Sequence, residues 1–193
     1  NASRLISCID KEFGGSVLLI GGLSLGAQIL VEMLTQRSSI CQNAVIESES
    51  VIPSKLTNAL IKPMFSLSYG LVKKKYFAQM QFDYLHIRKD LFEDYYRDTS
   101  QISKENMIAF LEANTSYEIK PGLQEAHAKV HILVGEKEQK KMICSAEQLH
   151  KALPGSVLEI KKGLYHGEYS INHPEEYTKE LLDMICYILN KSA

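Results

Sequence analysis

Residues Val17–Ile29 read VLLIGGLSLGAQI, and this stretch decides the fold. Val17-Leu18-Leu19-Ile20 is an apolar run of strand length without polar alternation. That is the pattern of a strand covered on both faces in a parallel sheet. Gly22-Leu23-Ser24-Leu25-Gly26 follows as a G-x-S-x-G run. Ala27, Ile29, Leu30, Val31, Met33 and Leu34 then continue as a strongly apolar helix. A serine in a tight turn between strand and helix is a candidate nucleophile. Small residues at Gly22 and Gly26 give the turn room, and the hydroxyl stands at the strand's C-terminal end. The helix also brings the Leu25 amide to that end, where it can donate to an oxyanion. The alternative reading of the same five residues is a glycine-rich turn with a helix-capping serine.

Outward from this stretch, strands and helices alternate. Ser3 to Phe13 has a helical apolar face closed by Gly14-Gly15, and Asn1-Ala2 read as a remnant outside the fold. Asn43 to Glu47 predicts a second strand. His131-Ile-Leu-Val134 predicts a third and Val157 to Ile160 a fourth. Ser145 to Gln148 has capping-box form and predicts the start of a helix running to Leu153. Pro174 opens a last helix to about Asn190, with Leu181, Leu182, Ile185 and Leu189 as its core face. Residues 51–117 differ in texture. They are rich in Lys, Tyr and Phe, with helices expected over 61–76, 77–90 and 104–113. The expectation is an α/β fold in which residues 3–50 and 118–193 form a core. Its parallel sheet of about four strands carries helices on both faces, and 51–117 form an inserted helical cap.

Composition narrows the function. The 193 residues carry 22 basic and 23 acidic side chains, a net charge of -1, so no nucleic-acid surface is expected. The apolar stretch from Leu18 to Leu30 is too short and too glycine-rich to span a bilayer, and no membrane partner is expected. Lys73-Lys74-Lys75 reads as a solvated helix face. Cys8, Cys41, Cys144 and Cys186 form no C-x-x-C pair and read as buried, reduced thiols, which with no signal peptide suggests a cytoplasmic protein. No metal-ligand spacing, P-loop or dinucleotide fingerprint occurs, so neither cofactor nor metal is expected.

A serine nucleophile needs a base. His166, in Gly163-Leu-Tyr-His-Gly-Glu-Tyr169, follows the last strand and opens on the same sheet edge as Ser24. The imidazole needs a carboxylate to hold its tautomer. Glu138, after the third strand, is the first candidate. Glu47 and Glu49 after the second strand are others, and Glu136 reads as a solvated loop acid. The order Ser24, Glu138, His166 gives a nucleophile, an orienting acid and a base. Phe65, Tyr69, Phe77, Phe82 and Tyr84 in the cap either line an acyl pocket or pack cap helices.

With these residues the chain resembles the α/β-hydrolase fold superfamily, in its branch of small esterase-like and carbon–carbon-bond hydrolases. LLIGGLSLGAQI (18–29) is similar to the nucleophile elbow. HILVGEKE (131–138) is similar to the acid-bearing strand, and GLYHGEYSINHPEEY (163–177) to the histidine loop. Glu138 departs from the family's more frequent Asp. The resemblance implies a serine hydrolase of small carboxylic esters, or of related acyl or carbon–carbon bonds, acting through an acyl-enzyme. It also implies that the four strands match only the C-terminal half of the family's sheet. The second oxyanion donor would then lie elsewhere, and the Val17–Ile20 edge would pair with a second copy or with a separate N-terminal segment. Two alternatives stay open: a catalytically impaired fragment that binds or assembles, and a thioesterase or acyl transferase.

Overall fold

A computed structural model describes residues 1–192, with side chains described through Cys186. Leu189, expected on the last helix's core face, lies outside the described side chains. The chain divides into two units, residues 1–51 with 118–193, and residues 52–117.

The first unit is built on strands β1 (Val17–Leu23), β2 (Cys41–Glu47), β3 (Lys129–Gly135) and β4 (Val157–Lys161). They lie in the order β1-β2-β3-β4 and all neighbours are parallel. Helices α1 (Ala2–Phe13), α2 (Leu25–Gln36), α7 (Lys140–Ala152), α8 (Glu168–Asn172) and α9 (Pro174–Ser192) surround the sheet. Because each strand is laid beside the last in one direction, right-handed crossovers place α2 and α7 on one face. Helix α9 follows the last strand and returns across the other.

Two adjacent glycines record this two-sided cover, since successive strand residues point to opposite faces. A Cβ on Gly22 would lie 2.6 Å from Gly26 O, at the start of α2, whereas one on Gly21 would lie 3.3 Å from Tyr177 Oη of α9. The inner strands are the most buried. Ala44, Val45 and Ile46 of β2 and Ile132, Leu133 and Val134 of β3 are closed from water, together with Leu30, Val31 and Leu34 of α2. Strand β1 is an edge and only partly buried.

The second unit holds helices α3 (Lys55–Val72), α4 (Lys75–Tyr84), α5 (Phe92–Gln101) and α6 (Lys104–Ser116). Phe82 is buried there and stacks edge-on with Phe92 at 5.4 Å and tilted against Tyr95 at 5.2 Å. Asn58 Nδ2 donates to Glu112 O and Thr115 Oγ1, both at 2.8 Å, which ties α3 to α6.

Several sequence expectations change. Helix α3 begins at Lys55 and carries Pro63 inside it. One backbone donor is lost there, but the helix continues because its apolar face is still packed. Helix α5 was not expected, since FEDYYRDTSQ is largely polar. Helix α7 starts at Lys140, not at Ser145. Ser145 is fully buried and its hydroxyl accepts the Val51 N–H at 2.5 Å, so it ties two segments together and caps nothing. Ala2 belongs to α1 and is buried. Of the four thiols, only Cys41 is buried, and burial pushes its pKa up to about 12; Cys8 and Cys186 are exposed.

Ile46 of β2 is fully buried. Ile46→Ala is expected to destabilise the chain by about 2–5 kcal/mol. Truncation of exposed Leu5 to Ala should change stability by about 0.5 kcal/mol or less. Urea midpoints of the two variants check this.

Candidate active site

The C-terminal ends of β1, β2 and β3 meet at one sheet edge, and the candidate site residues stand there. Ser24 caps α2 with φ 53 and ψ -111, a left-handed-side conformation rare for a residue with a Cβ. Such a conformation costs about 1–3 kcal/mol and persists only where neighbours enforce it. Here Ser24 N–H donates to Glu47 O at 2.9 Å, and Ser24 O accepts from Gln28 N–H at 3.1 Å. Gly22 lets the first turn of α2 lie directly on the strand. The Ser24 hydroxyl makes no capping bond, so it is not the helix-capping serine of the alternative reading. Leu25 is the first residue of α2, where amides lack helical partners and the helix dipole is positive.

His166 stands in the loop between β4 and α8, and its Nδ1 lies 2.8 Å from Glu138 Oε2. The Glu138 side chain is wholly buried, whereas that of His166 is 38 % exposed. The other Glu138 oxygen, Oε1, accepts from Ser48 Oγ at 2.7 Å and from Gly135 N–H at 2.8 Å. Burial pushes this carboxyl's pKa up. The hydrogen bonds from His166, Ser48 and Gly135 outweigh burial and hold it below the usual carboxylate range. An ionised carboxylate only accepts, so His166 Nδ1 is the nitrogen that donates to Glu138.

Ser48 was not singled out in the sequence. It follows β2 directly, has φ 55, and is buried. Its hydroxyl donates to Glu138 and accepts from Gly167 N–H at 3.2 Å, so one side chain holds both the acid and the histidine loop. The only sequence signal was a polar residue directly after an apolar strand, at the edge that carries Ser24.

The other acids have different work. Glu47 Oε1 accepts from Ser170 N–H at 3.3 Å. Burial raises the Glu47 pKa, Ser170 opposes the rise, and the Glu138 charge adds to it. Among the described residues both Glu49 oxygens are buried with no hydrogen bond to another residue, and burial, opposed by the residue's own backbone N–H and reinforced by Glu138, pushes its pKa up to about 8. Glu136, read as solvated, accepts from Gly163 N–H at 2.8 Å and holds the start of the histidine loop. That loop also crosses the end of β3. A Cβ on Gly135 would lie 2.4 Å from Leu164 O.

The chain neighbours of Ser24 and His166, Leu23 and Gly167, lie against each other. A Cβ on Gly167 would lie 2.9 Å from Leu23 Cδ1. No hydrogen bond joins Ser24 Oγ to His166 among the described residues. The described residues also contain no group of three or more His, Cys, Asp or Glu side chains that could hold a metal ion. Gly26 behaves differently from Gly22. A Cβ there meets nothing within 4 Å, so the expected need for a small residue holds on the strand side only.

No family model and no curated protein matches the chain. Solved structures do. An esterase from Exiguobacterium antarcticum superposes with a TM-score of 0.77 at 16 % identity, covering 95 % of this chain and 72 % of that one. A bromoperoxidase from Bacillus anthracis gives 0.75 at 13 % identity, over 95 % of this chain and 72 % of that one. MenH from S. aureus gives 0.69 at 15 % identity, over 96 % and 74 %. The chain has the α/β-hydrolase fold.

Two variants separate the roles of the elbow glycines. Gly22→Ala is expected to destabilise by about 1–3 kcal/mol, because its methyl meets backbone. Gly26→Ala is expected to be neutral or stabilising by up to about 1 kcal/mol, as Ala favours helix. A further variant tests Glu49. A carboxyl with a raised folded pKa stabilises fully below its ordinary value of 4.5, and that stability is lost as pH rises toward about 8. Glu49→Gln should therefore stabilise the chain at pH 8 by on the order of 2–4 kcal/mol and leave it little changed at pH 4. Chemical denaturation at both pH values reads this out.

Proposed function

We propose that this chain, with its α/β-hydrolase fold, is a serine hydrolase of small carboxylic esters or related acyl bonds. The single observation that carries the reading is the buried Glu138 carboxylate on His166 Nδ1, at the sheet edge where strained Ser24 ends β1. In this reading His166 Nε2 takes the Ser24 proton as Oγ attacks the acyl carbon. Glu138 keeps the imidazole oriented and stabilises the imidazolium. The Leu25 N–H donates to the oxyanion of the tetrahedral intermediate. The imidazolium then protonates the leaving alcohol, and water, activated by the same imidazole, releases the acid from the Ser24 ester.

Esterase-named structures among the matches support this reading, as does the hydroxyl nucleophile, which suits acyl transfer. A thioester would follow the same steps with a thiol as leaving group.

The test uses p-nitrophenyl acetate and butyrate, together with a fluorophosphonate probe. Ser24→Ala and His166→Ala are expected to lower the rate about 10⁴-fold or more. Glu138→Gln is expected to lower it about 10²–10⁴-fold, by favouring the wrong tautomer. Ser24 should carry the fluorophosphonate label, detected by peptide mass. Equal rates for the parent and Ser24→Ala would overturn the assignment.

A further inference from the structure

Among the described residues three that are not glycine have positive φ, and two of them are Ser24 and Ser48. Ser48 has φ 55, a left-handed conformation in which a Cβ costs energy and glycine does not. Its side chain is also buried, where a hydroxyl must find partners or destabilise the fold. A glycine at this position would relax the backbone and bury no polar atom. Serine is therefore unfavourable here on two counts, and what it adds is the hydroxyl.

That hydroxyl bonds only within the candidate site among the described residues. It donates to Glu138 Oε1 at 2.7 Å and accepts from Gly167 N–H at 3.2 Å, so it joins the acid to the residue directly after His166. Ser48 N–H in turn donates to Leu133 O of β3 at 2.9 Å, which fixes the serine against the strand that leads to Glu138. The last side-chain torsion of a glutamate has broad minima, so a carboxylate turns easily unless its oxygens are held. Ser48 and Gly135 N–H both occupy Oε1, which leaves Oε2 for His166 Nδ1 at 2.8 Å. The Gly135 amide holds Oε1 to its own strand. Ser48 holds the same oxygen to the loop that carries the imidazole.

The hydroxyl acts on charge as well. Glu47 and Glu49, at and after the end of β2, and His166, in the loop after β4, are the titratable groups whose charges are felt by Glu138. Either acid, once ionised, pushes Glu138 towards its neutral form. The hydrogen bond from Ser48 opposes this and helps hold the carboxyl below its ordinary range.

We propose that Ser48 is a positioning residue of the reaction, whose hydroxyl locks the Glu138 carboxylate and the histidine loop into one arrangement. That role rests on the reading of Glu138 and His166 as acid and base, and Ser48 itself touches no reacting atom.

The test compares Ser48→Gly with Ser48→Ala in the full chain. Both lack the hydroxyl, but only Gly suits φ 55, so Ser48→Gly is expected to melt above Ser48→Ala. Both are expected to lower kcat for p-nitrophenyl acetate to the same extent, about tenfold, with KM little changed. The acid limb of kcat/KM belongs to the Glu138–His166 pair, and in both variants it should move up by about half a pH unit or more. The sign follows from the lost hydrogen bond, since Glu138 then takes a proton more readily. A second measurement needs no turnover. The His166 Nδ1 proton, read by NMR as a downfield resonance of the parent chain, should broaden or vanish in both variants. Parent rates with an unmoved acid limb in the folded variants overturn the proposal. So does activity that follows melting temperature, with Ser48→Gly near the parent and Ser48→Ala slow, because that marks a role in stability alone. If the parent turns over no ester, the reading of Ser24 fails and the resonance decides for Ser48. Its loss in both variants then supports the positioning role, and its absence from the parent or its persistence in both variants overturns it.

Discussion

A buried carboxylate organises this structure. Glu138 is closed from water, and an ionised carboxyl without partners there would cost several kcal/mol. It is satisfied by three donors from three separate segments: Gly135 at the end of β3, Ser48 beyond β2, and His166 in the loop after β4. Bringing these segments together is therefore a condition of burying the acid. Ser48 then passes the constraint on by accepting the Gly167 N–H, and Gly135 admits the histidine loop across the strand. The orientation of the imidazole follows from this packing.

The same strand ends hold the serine. Glu47 accepts the Ser24 N–H with its carbonyl and the Ser170 N–H with its carboxyl, so β2 ties the serine turn and the segment after the histidine to one residue. The strain at Ser24 is local, but what sustains it is not. It rests on that hydrogen bond and on the absence of a Cβ at Gly22, where α2 presses on the sheet.

Much of the core was readable because its signals are local. A continuous apolar run with Gly-x-Ser-x-Gly behind it specifies strand, turn and helix within ten or so residues. The parallel order follows from alternating elements. At two places the local signals misled. Pro63 would by itself disfavour a helix, yet α3 passes through it, tied to α6 by Asn58. Ser145 and Gln148 read as a cap, yet Ser145 bonds a residue far away in sequence, which no short-range pattern can announce.

The sequence by itself determined the elements of the core, the serine in its turn, and the order of serine, acid and histidine along the chain. These depend on side-chain period and turn chemistry over short windows. Only the tertiary structure decided which acid meets His166. Glu47 ends β2, Glu49 follows it, and Glu136 and Glu138 follow β3, all at the same sheet edge. They differ in what surrounds each carboxyl: one has a backbone amide beyond β4, one has no hydrogen bond to another residue, one has the loop before the histidine, and one has the imidazole. It also decided that Ser48 joins the acid to the histidine loop. Each of these is a relation between chain-distant atoms a few ångströms apart, and composition and spacing carry no record of such distances.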